Sequence, residues 1–200
     1  VPTRLAQGLQ IAAVLPRASY NDILVFKNAS VVDAWQLEKT LQEESKIFTN
    51  GVIATGSIRR KAQWLHRFPL HHIEPLRGNV NTRLKKLEES AWDGAIFAEA
   101  GLERIHKKPA NHIVLNWMLP APAQGAIGIV CKNNQEEVSQ ICAQLHHYET
   151  GICVEMERNF LMALAGGCST PISALAQIEK NTLFFKGNVC APSGEICVTM

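Results

Sequence analysis

The chain has 200 residues, 46% hydrophobic and 19% charged, and a net charge of +2. These are ordinary globular values. So balanced a charge argues against a protein whose main business is wrapping nucleic acid, and no apolar run is long enough to span a bilayer. The start, Val1-Pro-Thr-Arg-Leu5, has no basic segment leading into an apolar one, so no secretory signal is read and a cytoplasmic location is expected. Six cysteines lie at 131, 142, 153, 168, 190 and 197 without a Cys-x-x-Cys pair. That spacing argues against structural zinc, and most of the six are expected to be small buried hydrophobes rather than disulfide partners.

In chain order, Leu9–Val14 and Ile23–Phe26 read as short apolar strands. Residues 34–45 read as a helix, with Trp35, Leu37 and Leu41 near a helical period. A pattern then repeats three times. Strand Gly51–Thr55 precedes a helix from Ser57 to about Phe68, His72–Leu76 precedes one from about Asn81 to Ser90, and Gly94–Ala98 precedes a short one ending near Ile105. Strand, glycine turn and helix in succession predict an α/β unit with a parallel sheet. The prolines of Pro120-Ala-Pro-Ala-Gln-Gly125 suit a linker. Ala126–Cys131 follows as a strand and Gln135–His146 as a helix. Thr150–Ala165 is a second helix, expected to carry Glu155, Glu157 and Arg158 on its wet side and to stop at Gly166-Gly167. The remainder, Ile172–Ile178, Leu183–Val189 and Glu195–Thr199, reads as an antiparallel tail with turns at Lys180-Asn181 and Pro192-Ser-Gly194.

Arginines gather at the strand-to-helix turns: Arg59 and Arg60 beside Ser57, then Arg77 and Arg83, then Arg104. In a parallel sheet those turns share the C-terminal edge, where such folds bind ligands. Helix N-termini there offer free N–H groups, and guanidinium forks match carboxylates and phosphates. The pattern predicts a polyanion site. Lys85, Lys86, Lys107 and Lys108 read as solvated charge, and the four tryptophans as core. The adjacent histidine pairs 71–72 and 146–147 do not converge as metal ligands do, so no metal is expected. Cys168 differs from the other cysteines in sitting just past a helix end, in a loop of small residues where a thiol can act as a nucleophile.

Five segments resemble the porphobilinogen deaminase (hydroxymethylbilane synthase) family. Ala54-Thr-Gly-Ser-Ile-Arg-Arg60 is similar to its Thr-Ser-Ser-Leu-Arg-Arg motif, and Leu76-Arg-Gly-Asn-Val-Asn-Thr-Arg83 to its Arg-Gly-Asn…Thr-Arg-Leu motif. Ala98-Glu-Ala-Gly-Leu-Glu-Arg104 resembles its Ala-x-Ala-Gly-Leu-x-Arg segment, and Gln124-Gly-Ala-Ile-Gly128 its Gln-Gly-Ala-Leu/Val-Gly motif, although Pro122-Ala123 stand where Val-Gly is usual. Gly166-Gly-Cys-Ser-Thr-Pro171 resembles its Gly-Gly-Cys-x-x-Pro cofactor loop. The five occur in the family's order along essentially the whole chain.

The resemblance implies a cytoplasmic, monomeric transferase of α/β class. Two of its domains would be like periplasmic binding proteins, with mixed or parallel sheets, and a small α+β domain would follow. Carried over, residues 1–19 and 124–145 belong to domain one, 20–123 to domain two and 147–200 to domain three. Cys168 would hold dipyrromethane through a thioether. Ser57, Arg59, Arg60 and Arg83 would bind that cofactor, and Arg77, Arg83, Arg104 and Gln124 the substrate, porphobilinogen. The enzyme would join four porphobilinogens head to tail, with loss of ammonia, into hydroxymethylbilane for haem synthesis. Each pyrrole carries two carboxylates, which agrees with the polyanion site read from the residues. The family's catalytic aspartate belongs to a Lys-Asp-Val-Pro motif and would fall just before Val1. The chain is thus expected to lack most of domain one and the end of domain three, and residues 1–200 alone to be inactive.

Two other functions fit parts of the sequence. A non-enzymatic polyanion-binding protein of periplasmic-binding type would use the arginines but not the Gly166–Pro171 loop. A phosphate-handling α/β enzyme would want a Walker or Rossmann glycine motif, and neither occurs.

Overall fold

The computed structural model describes residues 4–28, 50–164 and 170–200. The helix expected at 34–45, the cofactor loop through 165–169 with Cys168, and Val1-Pro2 lie outside the described residues.

The described residues form a mixed α/β structure with three sheets. The largest has five strands in the order β4-β3-β5-β2-β6: β2 (Asp22–Phe26), β3 (Val52–Thr55), β4 (His72–Pro75), β5 (Gly94–Ala98) and β6 (His112–Val114). The strands of the repeated pattern are parallel, as expected: β3 runs parallel to β4 and to β5. β2 is antiparallel to both β5 and β6, which makes the sheet mixed. β6 was not foreseen, because three residues are too few to show a period.

Alternation along β2 explains why the sheet is covered on both faces. Ile23 and Val25 pack on one side with Ala95, Phe97, Leu87 and Leu102. Leu24 and Phe26 pack on the other with Ile53, Ile96, Trp64, Leu115 and Met118. A strand buried on both faces reads as a continuous apolar run, as Asp22-Ile-Leu-Val-Phe26 does after its first residue. Helix α1 (Ile58–Arg67) brings Trp64 to the second face; α2 (Val80–Glu89) and α3 (Glu99–Glu103) bring Leu87 and Leu102 to the first.

The second sheet pairs β1 (Leu9–Val14) with β7 (Gly128–Lys132), antiparallel across more than a hundred residues of chain. Helix α4 (Glu136–Ala143) lies beside it with Val138 and Ile141 exposed. The third sheet is antiparallel, in the order β10-β9-β8: β8 (Ile172–Glu179), β9 (Thr182–Cys190) and β10 (Cys197–Thr199). Its first turn is the expected Lys180-Asn181, with φ of 48° and 63°, the left-handed values a two-residue hairpin needs. Helix α5 (Tyr148–Ala163) packs against this sheet, Phe160 standing edge-on to Phe185.

The structure corrects the sequence on three points. Glu157 does not face solvent: it is wholly buried on α5. Cys190 and Cys197 are joined as a disulfide across β9 and β10, whereas Cys131 and Cys153 are buried free thiols. Lys108 is no idle surface charge, since it pairs with Glu99 and, at 3.4 Å, with Glu103. No helix among the described residues is long and apolar enough to cross a membrane.

Among the described residues Trp64 is the largest side chain with no exposure, and its indole N–H donates to His71 Nδ1 at 3.2 Å. Trp64→Ala is therefore expected to lower the unfolding free energy by about 3–5 kcal/mol, the range for an aromatic removed from a core. Urea denaturation reads it; a loss below about 1 kcal/mol would mean the site collapses freely and is not the centre of this core.

Candidate functional site

Two stretches, residues 15–21 and 119–127, connect the β1–β7 sheet to the five-stranded one, and they touch backbone to backbone. Leu15 N donates to Ile127 O at 3.0 Å and Ala18 N to Gly125 O at 3.2 Å. Gly125 has φ +83°, and a Cβ there would lie 2.5 Å from Ser19 O and 2.8 Å from Ala18 O. Only glycine allows so close a crossing.

At this crossing two carboxylates are buried completely, Asp22 and Glu157. Asp22 opens β2 and faces the first turn of α1. Its Oδ2 accepts from Arg59 Nη2 at 2.7 Å, and its Oδ1 from Arg60 Nε at 3.0 Å and Gln124 Nε2 at 2.9 Å. The arginines are further fixed by carbonyls: Arg59 Nη1 donates to Leu119 O at 2.6 Å and Arg60 Nη1 to Ile96 O at 3.2 Å. Ser57 caps α1, accepting from Arg60 N at 3.4 Å. Burial by itself would push the Asp22 carboxyl up. The charges of Arg59 and Arg60 and the hydrogen bonds from Arg59 and Gln124 outweigh it and hold the group below its usual range. Burial lowers the Arg59 pKa, and Asp22 offsets only part of that.

Glu157 is the second node. Arg17 reaches it through both terminal nitrogens, at 2.6 and 3.2 Å, and the amides of Ala123 (2.6 Å) and Ala176 (2.8 Å) donate to it. Arg17 Nε also donates to Gln124 O at 2.9 Å. A third carboxylate, Glu99, accepts from Ser19, Asn21 and Lys108. Burial pushes Glu99 up, but these bonds prevail and leave it lowered, while the bond to Glu99 chiefly raises Lys108.

Beside the crossing lies a pocket of about 220 Å³. Ser57, Arg59, Arg158 and Thr170 line it together with Ala121, Pro122 and Ala123 and apolar residues of β1 and α5. Among the described residues its two charged lining residues are both arginines. Asp22 balances only one of Arg59 and Arg60, so the surroundings stay positive. Thr170 stands two residues beyond Cys168 in sequence. A cationic, partly apolar pocket of this kind fits part of a polycarboxylate.

The residues singled out from sequence thus fall into three groups. Ser57 and Arg59 line the pocket, and Arg60 stands behind it on Asp22. Gln124 commits both ends of its amide to the protein: Nε2 to Asp22 and to Tyr20 O at 2.8 Å, Oε1 to Arg59 at 3.2 Å. Arg77, Arg83 and Arg104 lie outside the pocket at the turn edge. There Arg83 Nε donates to Gly78 O at 2.7 Å and Arg104 Nη2 to Gly125 O at 3.4 Å. Asp22, Arg17, Glu157 and Arg158 were missed. For Asp22 a signal existed, an acid placed directly before an unbroken apolar strand.

Fold and site together define a mixed α/β protein with an arginine-lined pocket beside the turn from β3 into α1, suited to a polyanionic organic ligand. Family models then give the relationship. The one described as "Porphobilinogen deaminase, dipyromethane cofactor binding domain" matches residues 1–140, and that of the porphobilinogen deaminase C-terminal domain matches 151–199. The chain belongs to the porphobilinogen deaminase family. The porphobilinogen deaminase of Listeria monocytogenes serotype 4a (strain HCC23) is 37% identical over 201 residues, covering 98% of this chain and 61% of that protein. That of Shouchella clausii (strain KSM-K16) is 35% identical over 98% of this chain and 60% of its own length. The chloroplastic enzyme of Pisum sativum is 36% identical over 97% of this chain and 50% of its own. The chain therefore spans about three-fifths or less of these relatives. Among solved structures, the substrate-binding protein of an amino acid ABC transporter aligns over 76% of this chain and 62% of its own, at 10% identity and a TM-score of 0.33. Nothing is carried over from a likeness that low.

Two outcomes are expected from the ion pairs. Asp22→Asn keeps the shape but leaves two buried guanidinium groups without a counter-charge, and is expected to cost about 3–5 kcal/mol in urea unfolding at neutral pH. Acid should do the same progressively. The folded-state values of Asp22 and Glu99 lie below their ordinary 3.8 and 4.5, so their contribution is complete above those values and is lost as pH falls through the lowered ones. The unfolding midpoint of the native protein is expected to drop on acidification through this window, and that of Asp22→Asn to drop less. Parallel curves would show that Asp22 does not carry the acid sensitivity.

Proposed function

We propose that the protein is a hydroxymethylbilane synthase, a transferase that deaminates porphobilinogen and joins four molecules head to tail into a linear tetrapyrrole. The single observation that carries this reading is the coincidence of family membership with a pocket whose charged lining residues, Arg59 and Arg158, are cationic. Dipyrromethane, attached through a thioether to Cys168, would supply the free pyrrole carbon to which the first substrate is joined.

The chain's own residues would bind and orient. Ser57 offers a hydroxyl and Arg59 a guanidinium edge to the carboxylates of the cofactor, with Arg60 and Gln124 fixing Arg59 through Asp22. Arg83, half-buried, would take a further cofactor carboxylate; Arg77, Arg104 and again Arg83 would bind the incoming substrate and the growing chain at the exposed turn edge. Gln124 acts by holding Arg59 in place. Such an array favours the bound polyanion over water because each charge-assisted bond is made to a preset donor. The division into parts is proposed as 1–19 with 124–145, 20–123, and 147–200, and the protein as a cytoplasmic monomer. A non-enzymatic polyanion-binding protein would share the arginines but has no use for a nucleophilic Cys168.

The experiment is the intact mass of the protein made in cells. A dipyrromethane adduct is expected, mapping to Cys168, absent from Cys168→Ser and retained in Cys131→Ser. An adduct on another cysteine would overturn the anchor, and no adduct on fully folded native protein the function. In a full-length background Arg83→Gln is expected to lower kcat/KM at least tenfold, from about 1.5–3 kcal/mol per charge-assisted bond, whereas exposed Lys107→Gln stays within about twofold. Equal kinetics for the two variants would misplace the site.

A further inference from the structure

The Cys190–Cys197 disulfide has no part in the chemistry above, yet it lies behind the helix that carries Arg59 and Arg60. The two cysteines face each other across β9 and β10. On β10's side Ala191 N donates to Ile196 O at 2.7 Å, while Cys190 N is turned toward β8 and donates to Pro171 O at 3.0 Å. Cys190 and Cys197 are thus a non-hydrogen-bonded cross-strand pair, the position where opposed residues approach most closely. The bond closes the turn 191–196. That turn is seated on α1: Gly194 O meets His66 Nδ1 at 2.9 Å, and a Cβ on Gly194, at φ +83°, would lie 2.6 Å from His66 N and 2.7 Å from Ala62 O. Beside it, Asn188 of β9 donates to Gln63 Oε1 at 3.2 Å, and Gln63 Nε2 donates to Ser173 Oγ of β8 at 2.9 Å. The rear of α1 therefore rests on the third sheet through Gln63, His66 and the disulfide-closed turn. Its first turn, at the other end, holds the arginines.

We propose that Cys190 and Cys197 form a reversible redox site whose state sets how firmly the turn 191–196 grips α1. The reductant is a dithiol. Its thiolate attacks Cys197 Sγ, the half-buried sulfur between exposed Ile196 and Val198. A mixed disulfide forms, and Cys190 leaves as a thiolate and takes a proton. The second thiol of the reductant then displaces Cys197, which is protonated in turn. The protein gains two electrons and two protons, and the reductant ends as its own disulfide; a small disulfide oxidant reverses the exchange. Opened, β10 is held by three residues of ladder at a sheet edge, so the turn frays and the His66–Gly194 contact loosens. Only the bearing of this grip on Arg59 as a ligand-binding group rests on the function proposed above; the redox chemistry stands apart from it.

The test uses the full-length protein purified in air without reductant. It is denatured in N-ethylmaleimide and its cysteine peptides are mapped by mass, before and after native treatment with dithiothreitol. Hydrogen exchange is followed on both forms. Cys190 and Cys197 are expected to be unlabelled before reduction and both labelled after it. Amides of residues 191–196 and of the last turn of α1 are expected to exchange at least about threefold faster in the reduced form, as for a local opening. Cys190→Ser/Cys197→Ser should exchange like the reduced form and ignore dithiothreitol. Labelling of both cysteines without reductant overturns the proposal, and so does unchanged exchange on reduction or a double variant that still responds. The same mass map reports the adduct on Cys168, so failure of the enzymatic reading and failure of this one are seen separately.

Discussion

A carboxylate with no access to water has to be neutralised where it lies, and Asp22 imposes that condition on everything around it. It starts β2, a strand paired on both edges and lying between two apolar faces, where an unpaired charge would be intolerable. Two arginines from one helical turn answer it, so α1 must enter with its N-terminus against β2 and nowhere else. Once there, Trp64 about one turn along is carried into the core, and Gln63 beside it is turned to the third sheet. The ion pairs are poor as a source of net stability, since desolvation cancels much of their attraction. What they do is forbid other placements of the helix.

The same logic operates at Glu157, and Gln124 couples the two nodes. Its side chain serves Asp22 and Arg59, while its backbone carbonyl takes Arg17, which serves Glu157. Four segments distant in sequence meet there: residues 15–21, residues 119–127, α5 and β8. Because Glu157 is clamped from three directions, α5 cannot rotate. Consecutive residues of a helix project about 100° apart, and the next one, Arg158, is thereby delivered to the pocket. A structural charge on one helix face thus fixes where a second charge lies on the neighbouring face.

The elements were legible wherever local chemistry decides them. The glycine turns, the repeated strand-and-helix unit, the two-residue turn at Lys180-Asn181 and the run of β2 are all written in short windows. So was the place of the arginines at the strand-to-helix turns. What could not be read is pairing across distance. Glu157 sits in a helix whose apolar pattern is weak, and its three partners come from elsewhere in the chain, so spacing alone left it on the wet side. The cysteines at 190 and 197 look unrelated until β9 and β10 are placed in register. Lys108 gains its partner, Glu99, only through the fold of the loop after α3. The fate of Arg59 and Arg60 was half visible: their place at the turn was clear, their counter-charge was not.

That counter-charge separates two kinds of arginine which the sequence presents alike. Arg59 and Arg60 are nearly without solvent exposure and each bonds a carboxylate and a carbonyl, so mobile ions cannot screen them effectively. Arg77 and Arg104 are exposed, and Arg83 only half-buried, with backbone carbonyls as the partners of the last two. The first pair forms a rigid floor whose geometry is set before any ligand arrives, at the cost of having one of its two charges already answered. The second set keeps its charge free to draw in anions from a distance but holds no fixed shape. A polyanion meeting this surface is attracted by one set and oriented by the other. Attraction should therefore weaken with added salt while the bound geometry does not, because the two tasks rest on charges in different dielectric surroundings.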